Sequence, residues 1–326
     1  MNKNNKKAKI PVVVIFAPTA SGKTALTYEL FCEKGSQFFL NDKSKISSAQ
    51  IISADSMQVY KGMDIGTAKP TPEFCKDIPH HLIDLVLPDV QFNVSDFVDL
   101  ADKKCKELWQ KNILPVVVGG TGFYIRNFLF GNPKTPESNE LIRNQLKEKL
   151  ERVGNQAMYA ELQTIDLASA GKIHVNDSYR ILRALEVFYT TGKKRSDFSV
   201  HNEFRDEYEF LFIVLEPPRD VLYERIKKRV DIMFDQGLQD EIQTLKKQGY
   251  TIDTPGMKAI GYKEFFMEEN IEKIKYSIKH NSCKYAKKQY TYIKDIPGSK
   301  IIEYQATQDD IAKVKNEIIK FIENSL

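Results

Sequence analysis

A strand, a glycine-containing loop and a helix follow one another near the start of the chain, and this order constrains the fold most. Residues Ile10–Phe16 are apolar and mostly β-branched, which predicts a strand. Apolar residues at Ala25, Leu26 and Leu30 predict a helix after it. The segment between them fits a P-loop, in which backbone N–H groups and the helix N-terminus hold phosphate. Its residues are Ala17, Pro18, Thr19, Ala20, Ser21, Gly22, Lys23 and Thr24.

Two side chains of this loop suit a phosphate that is bound together with Mg²⁺. Lys23 supplies a positive charge, and the Thr24 hydroxyl can ligate Mg²⁺. Ala17 stands where glycine is usual, and alanine allows fewer backbone conformations, so we expect the start of the loop to differ slightly from the common form. Most P-loops belong to ATPases, GTPases and kinases, so the loop alone leaves the reaction open.

Strand and helix patterns alternate along the chain after the P-loop. An amphipathic helix is predicted over Val94–Gln110, and the polar stretch 35–49 is expected to be a surface loop. The further strand candidates are 50–55, Leu82–Leu87, Ile113–Gly120 and Phe210–Leu215. Strands that alternate with helices form parallel sheets with both faces covered. The sequence therefore predicts an α/β fold with a P-loop, doubly wound parallel sheet core.

The strand pattern stops in the middle of the chain, where apolar residues recur at helical spacing instead. After the last strand candidate, amphipathic helices are predicted along the stripe from Leu222 to Leu238 and over Ile311–Ile322. The expected domains are a first part of the core in 1–132, an inserted all-helical domain in 133–197, and a second part of the core with basic C-terminal helices in 198–326.

Composition excludes several classes of protein. With 42% hydrophobic and 28% charged residues, the chain is too apolar for an intrinsically disordered protein. Its longest apolar runs are far shorter than the about 20 residues of a membrane-spanning helix. Residues Met1–Lys9 lack the features of a targeting peptide, so a cytoplasmic location is expected. The cysteines form no C-x-x-C pair and are interpreted as reduced structural thiols: Cys32, Cys75, Cys105 and Cys283.

Asp55 is the best candidate for a catalytic acid or base. It ends the strand candidate 50–55, and in an open α/β sheet it would face the same carboxyl-end crevice as the P-loop. An ATPase would carry a Walker B carboxylate after a buried strand, but the strand candidate Ile113–Gly120 is followed by Thr121. Two other roles for Asp55 stay open, namely capping the next turn and binding Mg²⁺.

A long segment that starts at Asp55 carries a family resemblance. Residues 55–70 read Asp-Ser-Met-Gln-Val-Tyr-Lys-Gly-Met-Asp-Ile-Gly-Thr-Ala-Lys-Pro, and they closely resemble a motif of the tRNA dimethylallyltransferases. These are also called tRNA isopentenyltransferases, of the IPP transferase family. Segments similar to the same family follow in the same order: Pro79–Leu82, Gly119–Ile125, Asp177–Glu186, Arg225–Gly237 and Ala259–Tyr262. The resemblance extends roughly from residue 11 to residue 295.

The resemblance implies prenyl transfer to tRNA. Such enzymes move a dimethylallyl group from dimethylallyl diphosphate to N6 of the adenosine next to the anticodon, in tRNAs that read codons starting with U. The products are N6-isopentenyladenosine and diphosphate. The P-loop would then hold diphosphate rather than ATP, and no Walker B carboxylate would be needed.

The resemblance also implies catalytic roles for three residues. Asp55 would accept the N6 proton, and Thr121 would help to hold both the adenine edge and that carboxylate in place. Arg229 would stabilise the departing diphosphate together with Lys23 and Mg²⁺. Arg225, one turn earlier on the same helix face, is a second candidate for this role. A solvated helix face is the alternative for both arginines.

The residues that the resemblance places against tRNA come from the predicted core and from the insertion. In the insertion, Arg180 and Arg183 lie three positions apart on a predicted helix, which suits contact with phosphates or bases. For Arg143, an exposed helical arginine without a specific role is the alternative. The full set is Asp55, Ser56, Met57, Gln58, Thr121, Arg143, Tyr179, Arg180, Ile181, Leu182 and Arg183.

Residues 271–300 have the composition of an RNA-binding surface. Eight lysines stand against Glu272 and Asp295, a local charge of +6. Lysines attract phosphates and tyrosines can stack on bases; the tyrosines here are Tyr276, Tyr285, Tyr290 and Tyr292. Family members tend to have Arg-Gln-x-Thr-Trp-Phe-Arg where this chain has Lys288–Lys294, and lysine lacks the bidentate geometry of arginine. Individual contacts in this segment are therefore expected to differ from those of the family.

The sequence leaves other functions open. An adenylate isopentenyltransferase would use a free nucleotide as acceptor, although the insertion and the basic segment favour tRNA. A P-loop kinase or NTPase would need the missing carboxylate. His80–His81 is interpreted as structural, because adjacent residues of an extended segment point to opposite sides. We expect tRNA and dimethylallyl diphosphate as substrates, Mg²⁺ as cofactor, no membrane partner, and a monomer.

Overall fold

A parallel sheet forms the centre of the protein. The computed structural model describes residues 9–32, 46–132, 135–198, 203–294 and 296–325, so most of the polar stretch 35–49 lies outside the described residues. In the described part, six strands pair in parallel: β1 (Ile10–Phe16), β2 (Ser48–Ser53), β3 (His80–His81), β4 (Ile113–Gly119), β5 (Tyr208–Glu216) and β6 (Ser299–Glu303). Their order is β3-β2-β4-β1-β5-β6. The predicted α/β class is confirmed.

Helices connect and cover these strands. They are α1 (Lys23–Phe31), α2 (Pro72–Asp77), α3 (Val94–Gln110), α4 (Gly122–Phe130), α5 (Glu140–Ile165), α6 (Leu167–Ala170), α7 (Ser178–Thr191), α8 (Arg219–Asp235), α9 (Leu238–Lys247), α10 (Glu264–Met267), α11 (Ile271–Ile293) and α12 (Gln308–Ser325). Short 3₁₀ turns lie at Arg195–Asp197 and Gly256–Lys258. Within the described ranges, no helix has the length and apolarity that crossing a bilayer requires.

Strand β1 is buried on both faces, which explains its uninterrupted apolar sequence. Successive side chains of a strand point to opposite faces. Val12 and Phe16 accordingly pack into one hydrophobic core, and Val13 and Ile15 pack into a second core on the other side of the sheet. All four are fully buried. Burying such side chains contributes about 1.5–3 kcal/mol each relative to exposure, so β1 anchors both layers.

The carboxyl ends of β1, β2 and β4 lie side by side, and backbone hydrogen bonds continue past the strands. The Ala17 N–H donates to the Gly119 carbonyl at 3.2 Å, and the Ala54 N–H donates to the Val118 carbonyl at 2.8 Å. The Thr121 N–H then donates to the Ala54 carbonyl at 3.1 Å. The loops after these three strands are therefore held together.

Two predicted elements differ from the structure. The predicted strand Leu82–Leu87 is wrong: β3 is confined to His80–His81, because Leu82 and Asp84 have φ values of 63° and 51° and cannot continue a strand. The apolar stripe from Leu222 to Leu238 is divided between α8 and α9 at Gly237, where φ is 95°. Strand β6 was not predicted.

The chain divides into two compact units. One comprises residues 1–131 and 204–326 and contains the sheet, and the other comprises Asn132–Glu203. The second unit is helical: α5, α6 and α7 pack around a core that includes Leu146, Met158 and Ile181. Helix α5 is kinked at Gly154, where φ is 77°.

We predict that Gly119→Ala destabilises the protein by about 2 kcal/mol or more, because a Cβ there would lie 2.1 Å from the Ala54 carbonyl oxygen. Backbone would have to separate where β2 meets β4. The matched control is Gly171→Ala, whose Cβ would have its nearest neighbour at 3.5 Å and should change stability by less than about 0.5 kcal/mol. Urea denaturation followed by circular dichroism measures both, and equal midpoints would contradict the prediction.

Candidate active site

A cavity of about 410 Å³ opens at the carboxyl ends of β1 and β2. In α/β sheets this edge is where ligands bind. The P-loop contributes Lys23, the loop after β2 contributes Asp55, and α8 contributes Arg229. An acid, a lysine and an arginine that are distant in sequence therefore share one cavity, as the sequence analysis predicted for these three residues.

Some P-loop residues line the cavity, and the others hold the loop in place. Thr19, Ala20, Lys23 and Thr24 line the cavity. Ala17, Pro18 and Ser21 are buried, and Gly22 caps the N-terminus of α1 with φ at 90°, a conformation that favours glycine. The alanine in place of glycine at the first position is accommodated, since Ala17 continues the backbone pairing of β1.

Lys23 is electrostatically strained in the free protein. Burial and, to a lesser degree, the nearby Arg229 charge lower its pKa from 10.5 to about 8, against the opposing effect of Asp55. A cation that is desolvated and lies beside a second cation is stabilised by an anion. The loop therefore has the electrostatics of a phosphate site.

Arg229 is held by one residue of the P-loop and one of the loop after β2. Its Nη1 donates to the Thr19 Oγ1 at 3.1 Å and its Nη2 to the Thr67 carbonyl at 3.4 Å. Its Nε is buried and makes no hydrogen bond to the described residues, and burial lowers the pKa of the guanidinium. An unsatisfied buried donor costs about 1–3 kcal/mol, so this group is suited to meet an anion.

Arg225 does not share this position. Its Nη2 donates to the Gln305 carbonyl at 2.8 Å, and it is not among the residues that line the cavity. The two arginines lie one turn apart on α8, but only Arg229 contributes to the cavity.

Asp55 both caps a turn and keeps one oxygen available. Its Oδ1 accepts hydrogen bonds from the N–H groups of Met57 at 2.9 Å and Gln58 at 3.4 Å. The second oxygen, Oδ2, accepts no recorded hydrogen bond from the described residues. The Thr121 Oγ1 accepts from the Ser56 N–H at 3.0 Å, so Thr121 fixes the turn beside the carboxylate rather than the carboxylate itself. The capping role that the sequence left open is thus present, and it is compatible with a proton-accepting role.

The three residues after Asp55 also line the cavity. Gln58 joins the end of β2 to a later part of the loop that follows it, since its Oε1 accepts from the Ser53 hydroxyl at 3.0 Å and its Nε2 donates to the carbonyls of Thr67 and Ala68 at 3.4 Å. Ser56, Met57 and Gln58 were predicted to contact tRNA, and the structure brings them together with Asp55 at the cavity.

Glu241 is a site residue that the sequence did not indicate. Its carboxylate accepts hydrogen bonds from the N–H groups of Asp64, Ile65 and Gly66, at 2.9, 2.7 and 3.2 Å, and from the Tyr262 hydroxyl at 2.7 Å. These contacts hold the loop whose residues Gly66 to Ala68 line the cavity. Tyr262 was noted only through the family resemblance, and nothing in the local pattern around Glu241 signals its role.

Helix α11 contributes Tyr285 and Gln289 to the cavity, where the sequence predicted an RNA-binding surface. Partial burial and the negative charge of Asp55 raise the pKa of Tyr285 to about 12. Tyr276 is different, because it is 70% exposed and stacks on the His280 ring. Tyr285 therefore lines the cavity, whereas Tyr276 is mostly exposed to solvent.

Helix α8 contributes three apolar residues to the cavity wall. Ile226, Val230 and Met233 lie at positions i, i+4 and i+7, so they form one helix face. Arg229 projects from the same helix. One element thus supplies both an apolar surface and a cation.

The described residues could hold Mg²⁺ only if substrate phosphates and water supplied most of its coordination. In the described part of the chain, no group of three or more His, Cys, Asp or Glu residues could hold a metal. Mg²⁺ commonly keeps several waters and binds one or two protein groups together with substrate phosphates. Thr24 and Asp55 both line the cavity and offer such oxygen ligands. The rings of His80 and His81 instead contact the Ile78 carbonyl at 2.7 Å and the Gln50 amide oxygen at 2.8 Å.

Known proteins share this sequence and fold. Residues 58–296 match the sequence model of a family described as IPP transferase. The chain belongs to the IPP transferase family. The family that residues 55–70 predicted is confirmed.

Relatives of this IPP transferase family member align along nearly their whole length. The tRNA dimethylallyltransferase of Geobacter sulfurreducens is 38% identical over 316 residues, which are 95% of this chain and 97% of that protein. The tRNA dimethylallyltransferase of Clostridioides difficile is 38% identical over 327 residues, 98% of this chain and 99% of that protein.

Solved structures of the family share the fold. The full-length tRNA isopentenylpyrophosphate transferase from Bacillus halodurans has a TM-score of 0.69 and 35% identity, covering 97% of this chain and 98% of that chain. A eukaryotic dimethylallyltransferase, solved acting on tRNA, has a TM-score of 0.79 and 27% identity, covering 97% of this chain and 80% of that chain.

The remaining predicted tRNA contacts of this IPP transferase lie in the helical unit and are described there by themselves. Arg143 stacks over the Tyr179 ring at 5.5 Å, and Tyr179 is 67% exposed. The exposed Arg180 pairs with Asp177 at 3.2 Å. Ile181 is fully buried, and Leu182 packs against the same core. Arg183 pairs with Glu186 at 3.1 Å and donates to the Pro136 carbonyl.

We predict that Lys23 makes diphosphate binding depend on pH. Below pH 8 the Lys23 ammonium is charged and attracts the anion, whereas at pH 9 only about a tenth of it stays protonated, since its pKa is about 8. The wild-type protein should therefore bind inorganic diphosphate more tightly than Lys23→Met at pH 7. This difference in affinity should shrink by pH 9. Isothermal titration calorimetry measures both proteins, and the variant corrects for the ionisation of diphosphate itself. A difference in affinity that stays the same from pH 7 to pH 9 would contradict the role of the Lys23 charge in diphosphate binding.

Proposed function

We propose that this chain transfers a dimethylallyl group from dimethylallyl diphosphate to N6 of the adenosine next to the anticodon of tRNA, in tRNAs that read codons starting with U. The names of its relatives support prenyl transfer to tRNA. The observation that carries the proposal is one cavity in which Asp55 faces Lys23 and Arg229 beside an apolar wall. This combination suits a donor that is anionic at one end and apolar at the other.

We infer one orientation for the donor in the cavity. Its diphosphate would lie on the P-loop between Lys23 and Arg229; among the described residues neither cation forms a salt bridge, although the Asp55 charge lies near both. Its dimethylallyl group would lie against the α8 face formed by Ile226, Val230 and Met233. The cavity volume of about 410 Å³ is in the range of small-molecule sites, about 300–1,000 Å³.

Proton removal acts on the adenine acceptor, and leaving-group stabilisation acts on the diphosphate of the donor. The adenine N6 attacks the allylic carbon, the bond from that carbon to the diphosphate oxygen breaks, and the N6 proton passes to the Asp55 carboxylate through its free oxygen. Lys23 and Arg229 stabilise the negative charge that grows on the departing diphosphate. Thr24 would be the protein ligand of Mg²⁺, which when bound neutralises part of that charge.

Thr121 serves the acceptor side of this arrangement. Its hydroxyl accepts from the Ser56 N–H and donates to the Ser56 hydroxyl at 3.3 Å. The turn that carries Asp55 is thereby fixed before the adenine arrives. Ser56, Met57 and Gln58 would contact the nucleotides around it.

The second half of α11 is the best-supported tRNA surface of the sheet-containing unit. Lys275 and Lys279 both pair with Asp231, at 2.8 and 2.7 Å. Lys284 and Lys288 are exposed and have no ion pair recorded among the described residues. A lysine that already has an anionic partner gains less from a phosphate, so the local charge is most available toward the end of the helix.

In the helical unit, the exposed arginine and tyrosine side chains are the candidates for RNA contact. Tyr179 presents its ring to solvent with Arg143 stacked on it, and Arg180 is two-thirds exposed in its side chain. Arginine planes and aromatic rings are common partners of unpaired bases.

The monomeric state and the cytoplasmic location stay predictions.

A labelling experiment tests the proposal. The purified protein is incubated with radiolabelled dimethylallyl diphosphate, Mg²⁺, and either free AMP or an unmodified tRNA with adenines just 3′ of its anticodon. Label in tRNA supports the proposal. Label in AMP alone would instead indicate an adenylate isopentenyltransferase, and label in neither acceptor together with ATP turnover would indicate a P-loop NTPase or kinase.

We predict that Asp55→Asn lowers the single-turnover rate of transfer by about 10²–10⁴-fold, the usual contribution of a general base. Asparagine keeps the oxygen that accepts from the Met57 N–H, so the turn should persist and tRNA affinity should stay within about twofold. Rapid-quench kinetics and filter binding measure the two quantities. A transfer rate near that of the wild type would refute the general-base role.

The lysines of α11 give a matched pair of variants. Replacing Lys284 and Lys288 with alanine should weaken tRNA binding and reduce its salt dependence by about one unit of slope per lost phosphate contact. Replacing Lys275 and Lys279, which have the same spacing on the same helix but share Asp231, should have a smaller effect on both. Binding is measured between 50 and 200 mM salt. Equal slopes for the two double variants would contradict the predicted surface.

A further inference from the structure

Gln289 is a buried polar residue on a helix whose neighbouring positions are exposed lysines. Lys287 and Lys288 are exposed, whereas Gln289 is 6% exposed and lines the cavity. A buried amide requires hydrogen-bond partners for both its oxygen and its nitrogen. Two of the partners of Gln289 are backbone groups that follow different strands, and the Tyr285 hydroxyl is a further hydrogen-bonding neighbour.

The side-chain amide of Gln289 bridges the P-loop and the loop after β4. Its Oε1 accepts from the Thr19 N–H at 3.1 Å, and its Nε2 donates to the Gly120 carbonyl at 2.6 Å. The pairing of β1 with β4 ends one step earlier, at the hydrogen bond from Ala17 to Gly119. Gln289 therefore continues the ladder between the two loops in the way that a peptide group would.

The absence of a side chain at Gly120 makes room for this bridge. A Cβ at Gly120 would lie 2.6 Å from the Gln289 Nε2 and 3.2 Å from the Ala17 carbonyl oxygen. Any larger residue would push the amide away from the carbonyl that it contacts. The second glycine of Gly119–Gly120 is thus matched to Gln289.

The bridge reaches the cationic part of the cavity through Thr19. The Thr19 backbone is held by Gln289, and its hydroxyl accepts from the Nη1 of Arg229 at 3.1 Å. Arg229 is the group that the proposed function places on the diphosphate. A shift of Thr19 would therefore move a hydrogen-bonding partner of that guanidinium.

We propose that Gln289 is a positioning residue for the diphosphate site, acting through Thr19 on Arg229. The proposal rests on the function inferred above, in which this cavity holds the diphosphate of the donor. Gln289 itself need not touch the substrate. Its effect should appear in donor binding and in the transfer rate, and not in affinity for tRNA.

Gln289→Leu is the principal variant, because leucine is of similar size and forms neither hydrogen bond. We expect the dissociation constant of inorganic diphosphate to rise about tenfold and kcat/KM for dimethylallyl diphosphate to fall about 10–100-fold, since misplacing a positioning contact by about 1 Å can cost about 100-fold. KM for tRNA should stay within about twofold. If Gln289→Leu does not yield folded protein, Gln289→Met carries the same expectation, because methionine adapts more easily to irregular space.

Asn281→Leu is the matched control. Asn281 also lies on α11, and its Nδ2 donates to the Glu264 Oε1 at 2.8 Å, but it does not line the cavity. The control should lower the melting temperature without changing diphosphate affinity. If Asn281→Leu weakened diphosphate binding as much as Gln289→Leu, the effect would come from general loosening of α11 and the proposal would be overturned.

A double-mutant cycle with Thr19→Val tests whether Gln289 acts on Arg229 through Thr19. If Gln289 acts through Thr19, the loss of diphosphate affinity in the double variant should be clearly smaller than the product of the two single losses. Fully multiplicative losses, or wild-type diphosphate affinity in Gln289→Leu, would overturn the proposal. Diphosphate binding is measured without tRNA, so failure of the proposed transfer reaction in the wild-type protein is seen separately from failure of the positioning role.

Discussion

The parallel alignment of β1, β4 and β2 is the constraint on which the site depends. These strands are neighbours in the sheet, so the P-loop, the Asp55 turn and the Thr121 segment leave the sheet at the same edge. Close approach of β2 to β4 requires a glycine at 119, because the Ala54 carbonyl occupies the space of a Cβ. Burial of β1 on both faces stabilises this alignment.

Two helices complete the cavity, and each serves more than one purpose. Helix α8 presents Arg229 next to an apolar face, so the group that suits an anion and the surface that suits a hydrocarbon move as one element. Helix α11 directs Gln289 inward and leaves Lys284 and Lys288 exposed. Its lysines form two groups, because two of them share the Asp231 carboxylate, which offsets one of their two charges. The +6 charge of 271–300 therefore overstates what is available to RNA.

The electrostatics of the free cavity favour an anionic ligand. Burial lowers the pKa values of both Lys23 and Arg229, and the Nε of Arg229 has no hydrogen-bond partner in the described part of the chain. Asp55 offsets part of the repulsion between these cations. The same arrangement that destabilises the free cavity thus favours an anionic ligand.

Some features depend only on local sequence pattern, and these could be predicted before the structure was known. Strand β1 and helix α3 were predicted with the bounds that the structure has, because burial leaves a periodic record in neighbouring residues. The motif at residues 55–70 was sufficient to predict the family. Tertiary structure alone decided which distant groups meet. Gln289 contacts Thr19 across 270 residues, Glu241 contacts the loop at Gly66 across 175, and Arg225 turns to Gln305 instead of the cavity. No local periodicity encodes such contacts, since they arise only when the packed helices bring these side chains to the edge of the sheet.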